Sequence, residues 1–196
     1  MGAPQKAVAW IKPEEYLALE EKATTKHEYL DGVIYAWQGF GPEAMAGGSR
    51  AHNQAIQNLV VALRQSLRGT PCTTYAADLR LHVRQRRAYF YPDVAVSCSP
   101  ADSPVGDANA TEFSEPRVVF EVLSDSTEAF DRGEKFEAYK QIPSLEEYVL
   151  VSVRDRRVEV FRRARGWICE ESAGGPVALE SLDLVLKPDE IFDQLG

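Results

Sequence analysis

Hydrophobic residues recur at two different spacings along the chain, and the change between them predicts where helices give way to strands. From Arg50 to Arg68 apolar residues fall three or four positions apart, which is typical of an amphipathic helix. The apolar residues of that face are Ala55, Ile56, Leu59, Val60, Leu63 and Leu67. Ser49 precedes the run and can cap the helix, whereas Gly69 and Pro71 end it.

Three strands are predicted after this helix. Residues Asp78 to Arg84 alternate between apolar and polar side chains, as in a strand with one buried face. Tyr89 to Val96 is predicted as the second strand. Val118 to Leu123 is the third, a nearly continuous apolar run of the type that is buried inside a sheet. The region between them, Ser97 to Pro116, is a polar loop.

A second helix and a further strand complete the predicted core. Asp131-Arg-Gly-Glu134 has the form of a capping box, so we expect a helix from Asp131 to about Gln141 that ends before Pro143. Tyr148 to Val153 is another buried strand. The order helix, three strands, helix, strand predicts an α/β fold with a mixed central sheet and flanking helices.

Further elements are predicted on both sides of this core. An N-terminal helix, Lys12 to Ala23, precedes a hairpin whose turn is Asp31-Gly32. The elements after the core are an antiparallel pair and a tail of short strands and turns: Val158 to Phe161, Trp167 to Cys169, and Leu179 to Phe192. Because no repeat or linker interrupts the pattern, residues 1–196 are predicted to form a single domain.

Composition fits a globular protein of 196 residues, of which 44% are hydrophobic and 27% charged. No run of about 18 apolar residues occurs, so no membrane span is predicted, and the N-terminus lacks the apolar segment of a signal peptide. Three widely spaced cysteines, Cys72, Cys98 and Cys169, form no Cys-x-x-Cys pair, which argues against a disulfide framework or a zinc site. We therefore expect a cytoplasmic protein.

The net charge of −8 argues against a protein that coats nucleic acid indiscriminately, because phosphate binding needs lysine and arginine. A local basic strip could still guide a polyanion to a site. Six arginines crowd one short region: Arg154, Arg156, Arg157, Arg162, Arg163 and Arg165. An ordinary solvated hairpin surface explains them equally well. The glycine-rich stretch from Gly39 to Gly48 has no phosphate-binding or dinucleotide motif.

Two acidic residues lie inside apolar strands. Asp93 falls in Tyr-Phe-Tyr-Pro-Asp-Val, and Glu121 in Val-Val-Phe-Glu-Val-Leu. A buried carboxylate is costly unless it is paired or hydrogen-bonded, and two on consecutive strands repel each other unless a cation lies between them. Hard oxygen ligands of this kind suit Mg²⁺ or Mn²⁺. The alternative is that each carboxylate caps a backbone group or pairs with an arginine.

Lys135 falls near the start of the second predicted helix, one turn after Asp131. If that helix packs on the sheet, the ammonium could reach a phosphate held at the metal and stabilise transition-state charge. The alternative is an exposed lysine that pairs with Asp131. Glu28 and Asp78 are secondary candidates for the same site and could equally be structural. His52, at a helix start, is expected to cap or pack rather than to act in catalysis.

Several motifs occur together in this chain. They are Tyr91-Pro92-Asp93-Val94, Glu121-Val122-Leu123-Ser124, Asp131-Arg132-Gly133-Glu134-Lys135 with Tyr139, Lys26-His27-Glu28-Tyr29-Leu30-Asp31-Gly32, His52, Asn58-Leu59 and Asp78-Leu79-Arg80. As a set they resemble the Uma family of restriction-endonuclease-like proteins, within the PD-(D/E)XK nuclease superfamily. The resemblance covers nearly the whole chain, from about Lys12 to Phe192.

The resemblance implies a restriction-endonuclease-like core and metal ligation by Asp93, Glu121 and the carbonyl of Val122. The superfamily places its lysine two residues after the second acid, where this chain has Leu123, so the resemblance implies that Lys135 takes the role from the following helix. The implied function is Mg²⁺- or Mn²⁺-dependent hydrolysis of phosphodiester bonds in nucleic acid, with DNA as the expected substrate and a homodimer as the expected assembly. A catalytically idle binding or regulatory module with the same fold is the alternative, favoured by the acidic composition and the displaced lysine.

Overall fold

Two large β-sheets, a separate two-stranded pair and several helices make up the part of the chain that the computed structural model describes, residues 10–36, 49–76 and 78–195. The N-terminal residues and the glycine-rich stretch from Gly39 to Gly48 lie outside the described residues. The helices are α1 (Pro13–Glu20), α2 (Arg50–Ser66), α3 (Glu128–Phe130), α4 (Phe136–Tyr139) and α5 (Pro188–Phe192), and a π-helical turn (Asp131–Lys135) joins α3 to α4. The strands are β1 (His27–Leu30), β2 (Val33–Ala36), β3 (Thr73–Ala76), β4 (Arg80–Val83), β5 (Ala88–Phe90), β6 (Val94–Ser97), β7 (Glu112–Phe113), β8 (Pro116–Val122), β9 (Glu147–Ser152), β10 (Arg157–Arg162), β11 (Cys169–Ala173), β12 (Val177–Leu179) and β13 (Leu184–Leu186).

The larger sheet has the strand order β11-β10-β9-β8-β6-β3. Its strands β8 and β9 are parallel and its other neighbours antiparallel, so the sheet is mixed, as predicted. The smaller sheet has the order β2-β1-β5-β4-β7, and β12 and β13 form a separate antiparallel pair. Strand β9 is buried throughout because both faces of the larger sheet are covered.

Different elements cover the two faces of the larger sheet. On one face, Leu59 and Leu63 of α2 belong to the same core cluster as Val94 and Val118 of the sheet. On the other face, Ala95 and its neighbours pack with residues of the smaller sheet and of the helical segment 128–139. Successive residues of a strand point to opposite faces. Asp93 and Glu121 therefore share the side of the sheet that this helical segment covers.

The Asp-Gly hairpin and the capped helix α2 are both confirmed. Asp31 and Gly32 have positive φ angles of 48° and 92°, as a tight two-residue hairpin turn requires. A Cβ atom on Gly32 would lie 2.9 Å from Cδ2 of Trp10, so a larger residue there would displace this exposed ring. Ser49 Oγ accepts a hydrogen bond from the backbone N–H of His52 at 3.1 Å, which caps α2.

The single strand predicted from Tyr89 to Val96 is wrong, because two strands in different sheets share this stretch. β5 lies in the smaller sheet and β6 in the larger one. Pro92, which has no backbone N–H to give to a ladder, lies at the break between them. The predicted strand Asp78 to Arg84 is β4 of the smaller sheet. Its place beside β6 in the larger sheet is taken by β3, a half-buried edge strand that the hydrophobic pattern did not predict.

The predicted start of the second helix is also wrong. The helix begins at Glu128, and the backbone N–H of Asp131 already donates to Thr127 O at 2.9 Å. Asp131 is therefore not a cap but a buried side chain inside the helical segment. The Asp-x-x-Glu spacing that suggested a capping box also occurs within helices. Here the helix starts earlier and includes the buried Phe130, which precedes Asp131.

A disulfide joins Cys72 and Cys98, against the expectation from cysteine spacing. Cys72 directly precedes β3 and Cys98 directly follows β6, whose pairing places Thr73 opposite Ser97. The two Cα atoms are 3.9 Å apart. Sequence spacing gave no sign of this contact because β3 was not predicted. Cys169 is a free, exposed cysteine.

Within the described part of the chain, the structure contains no helix with the length and apolar character that crossing a bilayer requires.

Candidate active site

Asp93 and Glu121 meet beside the break between β5 and β6. Asp93 directly precedes β6, whose pairing with β8 sets Val94 opposite Phe120. The backbone N–H of Val122 donates to Asp93 Oδ2 at 2.7 Å, and the backbone N–H of Asp93 donates to Glu121 Oε2 at 3.3 Å. Both residues are buried. Capping of backbone groups, the alternative left open by the sequence, thus occurs together with the convergence of the two carboxylates.

Lys135 lies inside a cage of three carboxylates. Its Nζ is 2.8 Å from Glu28 Oε1, 3.1 Å from Glu121 Oε1 and 3.3 Å from Asp131 Oδ1. The residue is only 4% exposed. Lys135 therefore projects into the same cavity as Glu121, and the alternative of an exposed lysine is wrong, although its pairing with Asp131 is real.

The π-helical turn accounts for this placement. Asp131 and Lys135 are its first and last residues, and both point toward the sheet. Such turns are rare in proteins, and those that occur are often found at functional sites. Tyr139, one turn further along, donates its hydroxyl to Glu121 Oε1 at 3.0 Å, and Tyr148 of β9 donates to the carbonyl of Asp131 at 2.9 Å. The helical segment is thus fixed to the carboxylates of the sheet.

Burial and charge set the protonation of the cage. Burial raises the pKa of Glu28, Glu121 and Asp131, and the ammonium of Lys135 opposes this rise without cancelling it. For Lys135 burial acts in the opposite direction, but the three carboxylates outweigh it and hold its pKa well above the usual range. Burial and the charge of Glu121 also raise the pKa of Tyr139 well above its usual range. The surrounding carboxylates thus favour the charged form of Lys135.

His52 approaches the site from the first turn of α2. Its Nε2 lies 3.4 Å from Asp93 Oδ2, and the ring also hydrogen-bonds the backbone of Val122. Burial is the largest single influence and lowers the pKa of His52, but the hydrogen bond and charge of Asp93, the backbone of Val122 and the charge of Asp131 together raise it above its ordinary value. The residue that the sequence assigned to capping or packing is therefore a direct neighbour of the Asp93 carboxylate.

The structure brings most of the candidate residues together and leaves one apart. Glu28 lies in the cage, and its Oε1 also accepts the backbone N–H of Tyr91 at 3.3 Å. The side chain of Asp78 is 90% exposed and pairs with Lys26. Sequence reasoning did not assign Asp131 to the site. Its spacing of four residues from Lys135, which places both on one helical face, was the available signal.

The arginine-rich region is occupied mainly by structural contacts. Arg162 is buried against Glu147, with Nε 3.0 Å from Oε1, and Arg163 donates to the carbonyl of Leu145 at 2.7 Å. Arg157 lies 3.2 Å from Glu159 Oε1. Arginines engaged in this way have less charge to offer to a polyanion. The contacts favour a structural interpretation of the region over a basic strip.

The cluster has the chemistry of a hard-cation site. Three buried carboxylates, those of Glu28, Glu121 and Asp131, surround the buried Lys135, and the buried Asp93 adjoins Glu121. Asp131 Oδ1 has no hydrogen-bond partner within the described residues. Those residues contain no three His, Cys, Asp or Glu side chains arranged to hold a metal on their own. Mg²⁺ commonly uses only one or two carboxylates and completes its shell with water and phosphate oxygens, so this donor set fits.

Together the mixed sheet, the helical segment across it and the buried acid–lysine cluster define an α/β protein with a restriction-endonuclease-like core. The chain belongs to the Uma2 family, described as "Putative restriction endonuclease", whose sequence profile matches residues 13–187. The family resemblance inferred from the motifs is thereby confirmed.

Similar proteins extend over nearly the same length. The "Uncharacterized protein slr1290" of Synechocystis sp. is 36% identical over 190 residues, which are 95% of this chain and 93% of that protein. The "Uncharacterized protein sll1609" of Synechocystis sp. is 34% identical over 169 residues, 85% and 89% of the two chains. A crystal structure described as "a putative nuclease belonging to DUF820", from Anabaena variabilis, superimposes with a TM-score of 0.76. It covers 95% of this chain and 99% of its own at 18% identity, which confirms the fold class.

Proposed function

We propose that this chain is a single-domain, Mg²⁺- or Mn²⁺-dependent endonuclease that hydrolyses phosphodiester bonds in nucleic acid, with DNA as its substrate. The observation that carries the proposal is the convergence of Asp93 and Glu121 from neighbouring positions of two strands, with Lys135 Nζ 3.1 Å from Glu121 Oε1. Membership of the family described as "Putative restriction endonuclease" supports the reaction class and the choice of DNA.

The roles of the residues follow from their positions. Asp93 and Glu121 would hold the ion through carboxylate oxygens, and Val122 through its backbone carbonyl. A divalent ion bound there lowers the pKa of a bound water and offsets the negative charge of the scissile phosphate. His52 would hold Asp93 in place, since its Nε2 lies 3.4 Å from Asp93 Oδ2.

Lys135 supplies positive charge beside the reacting phosphate. A fixed cation in a water-poor site stabilises the charge that develops in the transition state and needs no reorganisation during the reaction. Glu28 and Asp131 keep this cation in place, because both carboxylates lie within 3.3 Å of its Nζ. Tyr139 holds the other partner, Glu121, through its hydroxyl.

We also propose that the protein acts as a homodimer in the cytoplasm, although the Cys72–Cys98 disulfide is unusual for that compartment. Cutting both strands of a duplex calls for two reactive centres related by a two-fold axis, which a symmetric dimer provides. Sedimentation of the purified protein at several concentrations would test this part separately from the chemistry.

The proposal is tested by cleavage of supercoiled plasmid in Mg²⁺, Mn²⁺ or EDTA. Asp93→Asn and Glu121→Gln should each lose more activity than the roughly 10–100-fold that loss of an outer-shell metal partner costs. Asp78→Asn is the matched control, because Asp78 is an exposed acid outside the cage. Parallel reactions with single-stranded DNA and RNA decide the substrate. Wild-type cleavage in EDTA, or full activity of Asp93→Asn, would contradict the proposal.

The alternative is a catalytically idle module that binds nucleic acid or protein. The specific observation in its favour is the enclosure of Lys135, which is 4% exposed and already surrounded by carboxylates. Binding of labelled duplex without cleavage in any divalent ion, unaffected by Asp93→Asn, would support this alternative.

A further inference from the structure

The two oxygens of the Glu121 carboxylate contact different groups on opposite sides. Its Oε2 accepts the backbone N–H of Asp93 at 3.3 Å, on the side where the proposed metal ion would bind. Its Oε1 faces away from that side, toward Lys135 Nζ at 3.1 Å and the hydroxyl of Tyr139 at 3.0 Å. A carboxylate shared in this way joins two positions for positive charge. In two-metal hydrolases such positions are about 3.5–4 Å apart.

The position on the Lys135 side has the form of a cation cage. Its carboxylates come from three parts of the fold: Glu28 from β1, Glu121 from β8 and Asp131 from the π-helical turn. Their oxygens lie 2.8, 3.1 and 3.3 Å from Lys135 Nζ. Oxygen bonds to Mg²⁺ and Ca²⁺ are about 2.0–2.6 Å long. A contraction of the cage by roughly 0.5–1 Å would therefore fit a divalent ion.

Two further observations separate this cage from an ordinary buried ion pair. One lysine faces three buried carboxyl groups, so the cage holds more acidic groups than a single ammonium can neutralise. Asp131 Oδ1 points at the lysine but has no hydrogen-bond partner among the described residues. Both features are expected of a position that is built for more charge or more bonds than one ammonium provides.

We propose that Lys135 is a built-in cation that fills the second cation position of this centre, and that Glu28 and Asp131 are positioning residues that hold it there. The protein then binds one divalent ion rather than two. The inference rests on the proposed function for the identity of the first ion position, but not for the cage itself.

The test counts bound Mn²⁺ by equilibrium dialysis, with free Mn²⁺ measured from its electron paramagnetic resonance signal. Wild type should bind one ion per chain. Lys135→Met should bind two, because the emptied cage accepts an ion, and adding Asp131→Asn or Glu28→Gln to that variant should return the count to one. Lys135→Arg, which keeps a cation in the cage, is the matched control and should bind one.

A second variant protects the test against loss of the fold. Lys135→Gln keeps N–H donors for the carboxylates and should also gain an ion, and a Lys135→Met protein that folds only with Mn²⁺ supports the proposal as well. Two ions in wild type, or no gain in folded Lys135→Met and Lys135→Gln, would overturn it. No ion in wild type but one in these variants would refute the first metal position and uphold the cage. One ion in every variant would leave the proposed function intact and refute the cage.

Discussion

Replacing Lys135 with methionine should strongly destabilise the protein in the absence of metal. An exposed lysine, the alternative that the sequence left open, would contribute little to stability. The structure rules out that alternative, because Lys135 is 4% exposed and touches three carboxylates. Methionine keeps most of the side-chain volume and removes the charge. Glu28, Glu121 and Asp131 would then face one another without a cation.

The size of the effect follows from the burial of the cage. Removing one partner of a buried ion pair costs about 3–5 kcal/mol. Each kcal/mol lowers the Tm of a protein of this size by about 2–4 °C, so the Tm should fall by roughly 6–20 °C.

The effect should also depend on pH, with a sign that the pKa shifts determine. The pKa values of Glu28, Glu121 and Asp131 are raised in the folded protein, mainly by burial. The folded chain therefore binds their protons more tightly than the unfolded chain. The stability that these groups contribute is fully present below their pKa values in the unfolded chain. It is lost as the pH rises through their pKa values in the folded protein. The defect of Lys135→Met should thus be largest at neutral and alkaline pH and shrink as the pH falls toward 4.5, the ordinary glutamate value.

Thermal melts followed by far-UV circular dichroism at pH 5 and pH 8, both with EDTA, would measure the effect. Lys140→Met is the matched control, because Lys140 directly follows the same helical segment but pairs with the exposed Glu137. Exposed pairs contribute about 0–1 kcal/mol. A loss of Tm no larger than that of the control, or an equal loss at both pH values, would refute the reasoning.

Three further predictions concern the same part of the fold. Asp93→Asn should abolish the rise in Tm that Mg²⁺ gives wild type. Asp93→Ala should in addition lower the free energy of unfolding in EDTA by about 1–3 kcal/mol, because the buried N–H of Val122 loses its acceptor. Thermal melts with and without Mg²⁺ check both predictions. The pKa of His52, followed by NMR, should lie above its ordinary value in metal-free wild type and fall in Asp93→Asn. The stability that protonated His52 contributes should be lost as the pH rises through this raised pKa. Reduction of the Cys72–Cys98 bridge, which links residues 26 positions apart, should cost about 3 kcal/mol in urea denaturation, and a Cys72→Ser variant should not respond to the reductant.

The buried elements of the fold could be predicted from the sequence because their patterns are strong. The amphipathic face of α2 and the apolar runs of β8 and β9 have periods that match their burial. The edge strand β3 has no such pattern, since its Thr-Thr-Tyr-Ala sequence is only half-buried. Its pairing with β6, and hence the disulfide, depends on contacts between residues that are distant along the chain.

The candidate site was predictable where a charge interrupts an apolar strand. Asp93 and Glu121 stand out for this reason, and the structure brings them together. Asp131 did not stand out, because an acid three residues before a glutamate reads as a helix cap. His52 reaches Asp93 only through the packing of α2 against the sheet, which no local pattern contains.

The π-helical turn sets how the helical segment tolerates a change in length. A π-helical turn uses an i to i+5 bond where an α-helix uses i to i+4, so it holds one residue more than a regular turn. Loss of one residue within Asp131–Lys135 would allow a regular α-helix and would leave Tyr139 close to its present alignment with Glu121. The spacing between Asp131 and Lys135 would change, so a single deleted codon would alter the carboxylate–lysine cage while the gene still encoded both strand carboxylates. Among related chains, the length of this turn therefore indicates whether the cage is kept.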